Sequence, residues 1–245
     1  YWQNDFVGII KKGRLTMTRI ILVRHCEAQG NVMGLFQGSI DSDISRKGEM
    51  QLDLLSVRCR NMSLDAIYSS PLKRARKTAE AINRFHNLSV QIEPDLREID
   101  GGVFEGKSWK DLPALYPEQV NFWYHRPCDF APENGEPMRA VYERIWNAVT
   151  KIVGMNEGKT VCVVSHGGAI RNFLCHALNK PIERLDEVAG SDNTAVSVID
   201  FDENMHSTVV SMNDTSHLTP EASASGKSAW WKQDVLPSPC TGEDR

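Results

Sequence analysis

The chain has 245 residues, a net charge of −4 and 41% hydrophobic residues, enough apolar material for one sizeable core. No overall basic field exists to attract nucleic acid or anionic lipid, and no stretch approaches the roughly 18 apolar residues of a membrane span. Six irregularly spaced cysteines read as reduced intracellular thiols rather than a disulfide framework, which places the protein in the cytoplasm.

The segment Tyr1 to Leu15 scatters charges through its length and carries no apolar h-region, so no signal peptide is expected there. Residues 1–17 are expected to form an N-terminal extension, and the lack of an initiator methionine makes the chain a fragment or an extended form, with Met17 as a natural start. Ile20-Ile21-Leu22-Val23 then reads as a buried strand that ends abruptly on Arg24, His25, Cys26 and Glu27. In open α/β sheets the carboxyl ends of strands are where ligands bind, so chemistry is expected at that edge. Pro71 through Phe85 spaces Leu72, Ala75, Ala79 and Ile82 at helical intervals, with Ser70 as N-cap and Pro71 at the first helical position. Arg74 would sit in the first turn, where free N–H groups also favour anions. Ser108 to Arg126 is rich in Trp, Tyr and Phe and reads as an insertion over the site that shapes substrate choice.

Gly135 to Val153 repeats a core-facing helical pattern before a second strand, Thr160-Val161-Cys162-Val163-Val164, which ends on Ser165-His166-Gly167-Gly168. Two strands that each deliver a histidine at their ends point to one shared site. Ala169 to Leu178 continues as a helix, and Ala195 to Phe201 and Ser207 to Met212 as late strands. The order predicts an α/β fold with a mostly parallel central sheet and helices on both faces. After Leu218, Pro, Ser, Ala and Gly accumulate, so residues 219–245 are expected to be a flexible tail on which Trp230-Trp231 could dock.

Four motifs in this order carry a family resemblance: Arg24-His25-Cys26 followed by Glu27 and Asn31; Ser69-Ser70-Pro71-Leu72-Lys73-Arg74-Ala75; Leu96-Arg97-Glu98-Ile99-Asp100-Gly101-Gly102-Val103-Phe104-Glu105-Gly106; and Ser165-His166-Gly167-Gly168. Gln37-Gly38-Ser39-Ile40-Asp41 and Asn193-Thr194-Ala195 are weaker matches. From about Thr18 to Leu218 the chain resembles the histidine phosphatase superfamily, also called phosphoglycerate mutase-like, in its phosphatase-like branch. One departure is plain: Cys26 stands where the family usually has glycine.

The resemblance implies a three-layer sandwich over residues 18–218 with a capping insertion around 105–135. It implies His25 as the nucleophile, Glu98 as the acid and His166 as a third catalytic group. Arg24, Asn31, Arg74, Gln37, Gly38 and Gly167 would bind substrate, with no metal. The reaction would be metal-independent hydrolysis of small phosphorylated metabolites through a phosphohistidine. The alternative is a phosphoglycerate mutase primed by 2,3-bisphosphoglycerate, and a third reading is a catalytically silent binding module. The partner would be a small phosphorylated metabolite, without nucleic acid or membrane, and a homodimer is compatible with the resemblance.

Bland readings compete at each position. Lys73, Arg76 and Lys77 read as a solvated helix face, Asp95, Asp100 and Glu105 rival Glu98 as the acid, and Glu27 either shapes the pocket rim or pairs with a neighbouring cation. Gly101 to Ser108 also satisfies the P-loop spacing G-x-x-x-x-G-K-S, but no buried strand precedes it and Glu105 would face the phosphates. No cysteine has an arginine six residues on, which excludes the cysteine-based phosphatase mechanism, and H-E-x-x-H is absent.

Overall fold

A computed structural model describes residues 17–223. The N-terminal extension up to residue 16 and the Trp230-Trp231 pair lie outside the described residues. In chain order, β1 (Thr18–Arg24) is followed by the single turn α1 (Gln29–Val32), α2 (Arg46–Cys59), β2 (Ala66–Ser69), α3 (Lys73–Asn83) and β3 (Val90–Ile92). An irregular stretch with short 3-10 turns leads to α4 (Leu112–Leu115), α5 (Pro117–His125) and α6 (Met138–Met155). Then come β4 (Thr160–Ser165), α7 (Gly167–Ala177), β5 (Val196–Phe201) and β6 (Ser207–Asp214).

The six strands form one sheet in the order β3-β2-β4-β1-β5-β6. β3, β2, β4 and β1 pair in parallel, while β5 runs against both β1 and β6, so the sheet is mixed with one reversed strand. β1 and β4 are central, which is why each is a nearly unbroken apolar run rather than an alternating one. Their side chains nonetheless divide by the two-residue period of a strand. Ile20, Leu22, Val161 and Val163 face a core shared with Ile145 and Val149 of α6 and Phe173 of α7. Ile21, Val23, Cys162 and Val164 face Leu55 of α2 and Ala75 and Ile82 of α3. Helices therefore cover both faces, the three-layer arrangement expected.

One local expectation is corrected. α3 begins at Lys73 with Leu72 at the N-cap and no side-chain cap, so Ser70 does not cap it. The Ser70 hydroxyl lies 2.7 Å from His166 Nε2 and only 3.4 Å from the Leu72 N–H, so a tertiary partner has replaced the local one. Arg74 still falls in the first turn. At the other end the docked chain runs past Leu218: Ala222 is buried and its carbonyl accepts the Gln51 Nε2 amide at 2.9 Å.

Candidate active site

The register of the two central strands builds the site. Arg24 of β1 lies opposite Ser165 of β4 in the parallel ladder, so the next residue of each strand, His25 and His166, leaves the sheet edge side by side. Their ring centroids are 5.0 Å apart. The His25 backbone is fixed on three sides: its N–H donates to the Ser165 carbonyl at 3.0 Å, and its own carbonyl accepts Asn193 Nδ2 at 3.0 Å and the Thr194 N–H at 3.3 Å. Asn193 and Thr194 thereby acquire a structural role that their weak motif match did not reveal.

His25 Nδ1 stands 2.6 Å from the Cys26 carbonyl. An oxygen there accepts, so Nδ1 carries the proton and Nε2 keeps a free lone pair. Burial holds the His25 ring well below the usual imidazole pKa, and the nearby Arg74 and Arg24 charges add to the shift. The ring is thus neutral near pH 7. His166 is depressed in the same way by burial, Arg74, His25 and Arg24.

Two guanidiniums frame the pair. Arg24 donates through Nη1 to the Ser191 carbonyl, and burial lowers its pKa to about 10 against the attraction of Glu98 and Asp192, so it remains charged at neutral pH. Arg74, 1% exposed, donates through Nη1 to the Ile40 carbonyl at 2.6 Å and through Nη2 to the Gly38 carbonyl at 2.9 Å. The loop that offers those carbonyls is itself pinned by Glu105, whose carboxylate accepts the N–H groups of Gly38 (3.2 Å), Ser39 (2.9 Å), Ile40 (3.3 Å) and Gly101 (2.8 Å). That clamp disposes of the P-loop spacing: Gly102–Phe104 is a 3-10 turn, and a carboxylate occupies the amides of its own loop and the facing one.

Glu98 reaches the N-terminus of α7. Its Oε2 accepts the Gly168 N–H at 2.9 Å, and its Oε1 accepts the Ala169 N–H at 2.9 Å and the Ile99 N–H at 3.0 Å. The rival acids are engaged elsewhere: Asp95 pairs with Arg97 at 2.9 Å, Asp100 accepts the Gly102 N–H at 3.0 Å, and Glu105 is consumed by its four amides. Glu27 accepts the Ser45 hydroxyl at 2.6 Å and lies 4.0 Å from Lys47, a pairing role. Cys26 packs among Leu52, Ala81 and Ile44, has no left-handed backbone, and burial raises its thiol to about 11. The position therefore does not require glycine.

Arg24, His25, Asn31, Gln37 and Glu98 line a cleft of about 430 Å³, measured with its open mouth. The remaining wall is Leu35, Phe36, Ile99, Trp109 and Trp123. Asn31 accepts the Ala28 N–H at 2.9 Å, and Gln37 accepts the Ser42 hydroxyl. Arg74, His166, Gly38 and Gly167 are not among the lining residues. The N–H and carbonyl of Gly38 are given to Glu105 and Arg74, and Gly167 begins α7 without entering the Glu98 clamp. Among the described residues no cluster of His, Cys, Asp and Glu is arranged to hold a metal ion, and no helix is long and apolar enough to cross a membrane.

A three-layer sandwich with paired histidines, two buried arginines and a carboxylate at one sheet edge defines a class of phosphoryl-handling enzyme. The pattern of the histidine phosphatase superfamily (branch 1) matches residues 20–215, and the chain belongs to that family. It is similar to phosphoserine phosphatase 1 of Hydrogenobacter thermophilus, at 35% identity over 82% of this chain and 95% of the relative. It is also similar to a metal-independent phosphoserine phosphatase of Arabidopsis thaliana, at 32% identity over 89% and 88%. The solved structure of Bacillus stearothermophilus YhfR superposes with a TM-score of 0.78 at 31% identity, covering 82% of this chain and 98% of that one. The chain is accordingly an enzyme of the phosphoric monoester hydrolase type.

Proposed function

We propose that the enzyme hydrolyses small phosphorylated alcohols through a phosphohistidine on His25, without a metal. The observation that carries this reading is a set of buried nitrogens that have no acceptor among the described residues: Arg24 Nε, Arg74 Nε, Gln37 Nε2 and His166 Nδ1. Each unsatisfied buried donor costs about 1–3 kcal/mol, and a phosphoryl group presents several anionic acceptors at once. The neutral tautomer of His166 fits: with Nε2 accepting the Ser70 hydroxyl, the ring proton sits on Nδ1.

The steps follow from the donors. His25 Nε2 attacks phosphorus, and the phosphorus–oxygen bond to the leaving alcohol breaks. The alkoxide takes a proton from Glu98. Oε1 already accepts two N–H groups and Oε2 only one, so Oε2 is the oxygen free to carry that proton. The ionised Glu98 then removes a proton from water, the hydroxide attacks phosphorus, the phosphorus–nitrogen bond breaks, and His25 returns to its neutral form. Arg24 and Arg74 offset the charge on the phosphoryl oxygens throughout.

The apolar wall of Leu35, Phe36, Ile99, Trp109 and Trp123 would pack the alcohol half. The names of the bacterial and plant relatives make O-phosphoserine the first substrate to offer, and favour hydrolysis over the mutase reading. The test is product analysis in EDTA with O-phosphoserine, other phosphomonoesters, and 3-phosphoglycerate with a trace of 2,3-bisphosphoglycerate. Free phosphate and an acid-labile phosphoenzyme absent from His25→Ala are expected. Formation of 2-phosphoglycerate without phosphate release would overturn the reading in favour of a mutase.

A further inference from the structure

Arg144, on α6, touches neither the cleft nor the two histidines by hydrogen bond, yet it organises the loop that carries Glu98. Its Nη1 donates to the Asp95 carbonyl at 2.6 Å and to the Arg97 carbonyl at 3.1 Å, and its Nη2 lies 3.5 Å from the Glu98 carbonyl. On its other edge it grips Glu136 in a two-toothed pair, Nε to Oε1 at 2.7 Å and Nη2 to Oε2 at 2.8 Å. The side chains of Arg144 and Glu136 are 10% and 12% exposed, so the pair is largely shielded from solvent. Glu136 closes the clasp from the far end of the loop, its N–H donating to the Asp100 carbonyl at 2.8 Å.

We infer that Arg144, held by Glu136, is the positioning residue that sets the Glu98 carboxylate for proton transfer to the leaving group. The inference rests on the reading of Glu98 as the acid. The backbone from Asp95 to Asp100 has no regular strand or helix to fix it beyond the 3-10 turn at Pro94–Leu96. A planar guanidinium offers five donors in a fixed fork, enough for a two-toothed carboxylate and several carbonyls at once, whereas an ammonium has three donors and no fork. The carboxylate of Glu98 is aimed by amides of α7, so its reach depends on where the loop backbone stands relative to that helix, and Arg144 bridges α6 to that backbone.

The experiment compares kcat/KM on benzyl phosphate, whose alkoxide needs a proton, with p-nitrophenyl phosphate, whose leaving group does not. Thermal unfolding is recorded alongside. Arg144→Lys should lose roughly tenfold on benzyl phosphate and less than about two-fold on p-nitrophenyl phosphate, the signature of impaired acid catalysis. In a Glu98→Gln background the same substitution should cost nothing further on benzyl phosphate, since the two residues act as one unit. Glu136→Gln, which loosens the same fork from the opposite side, should show the same selectivity and serves should Arg144→Lys not fold. Equal losses on both substrates, or a full additional loss in the Glu98→Gln background, would overturn the inference while leaving Glu98 as the acid. If Glu98→Gln itself loses equally on both substrates, the acid assignment fails and the role of Arg144 falls with it.

Discussion

Gly168 holds Glu98 from a distance that admits no side chain: its N–H donates to Oε2 at 2.9 Å, and a Cβ built on it would stand 2.7 Å from Oε1. Gly168→Ala should therefore displace the carboxylate from its amides. Gly168 lies in the first turn of α7, and the atom its Cβ would meet is the end of a flexible side chain that can swing aside, so the cost to the fold is small. The expected result is a melting temperature within a few degrees of wild type and a fall in kcat of roughly tenfold or more on alkyl phosphates. Wild-type turnover in a folded variant would show that Glu98 does not need this seat.

Glu105 predicts a different failure. Each of its oxygens accepts two of the four amides, so Glu105→Gln loses one acceptor and two of the four hydrogen bonds whichever way the amide is turned, and points an NH₂ group at N–H donors. The loop from Gly38 to Ile40 supplies the carbonyls that orient Arg74, so with Arg74 as the proposed phosphate ligand its loosening should weaken the grip on phosphate. A loss of about 2 kcal/mol in unfolding free energy and several-fold weaker inhibition by inorganic phosphate are expected. Unchanged denaturation and unchanged phosphate inhibition would remove Glu105 from this role.

The parts legible in the sequence are those whose signals are local. β1 and β4 announce themselves as apolar runs because a central strand is buried on both faces, and their ends present Arg24, His25 and His166. Their adjacency was an inference from matching chemistry, and the parallel register of Arg24 with Ser165 supplies the reason for it. α2 carries no clear signal in the sequence, because among its buried residues are Gln51 and Ser56, which mask the apolar period of Leu52 and Leu55. Ser70 misled for a related reason: a serine before proline carries the local chemistry of a cap, while its actual partner is 96 positions away. Spacing alone does not separate Glu98 from Asp95, Asp100 and Glu105; the resemblance singles it out, and its contacts with the α7 amides are not encoded in spacing. Arg144, one of four charged residues on α6, carries no sequence signal that sets it apart.

Cys26 tests the one departure from the family pattern. Its side chain is fully buried with Leu52 and Ala81, and its backbone is not in the left-handed region. Cys26→Gly removes that packing and frees the unfolded chain, so a loss of about 1–2 kcal/mol in stability is expected. The Cys26 carbonyl that orients His25 is unaffected, and kcat should stay within about two-fold of wild type. A large drop in kcat with intact stability would place the thiol in the chemistry.

The buried neutral histidines set the direction of the pH dependence. His25 and His166 are held below the ordinary value by burial and by the arginines, and His217, half-buried beside Arg58 and facing Asp214, is pushed down to about 4. In the unfolded chain all three titrate near 6.5. Below that pH the unfolded chain binds protons that the folded protein refuses, so folding stability falls as the pH is lowered. For His217 the loss spans roughly pH 6.5 to 4, while its contribution is fully present above 6.5. Urea denaturation midpoints should therefore hold from pH 7.5 to about 6.5 and decrease from there to pH 4.5, and His217→Gln should show a shallower decline over that lower interval. A midpoint that held constant or rose on acidification would mean that these rings accept protons in the folded state, and the neutral nucleophile at His25 would lose its electrostatic basis.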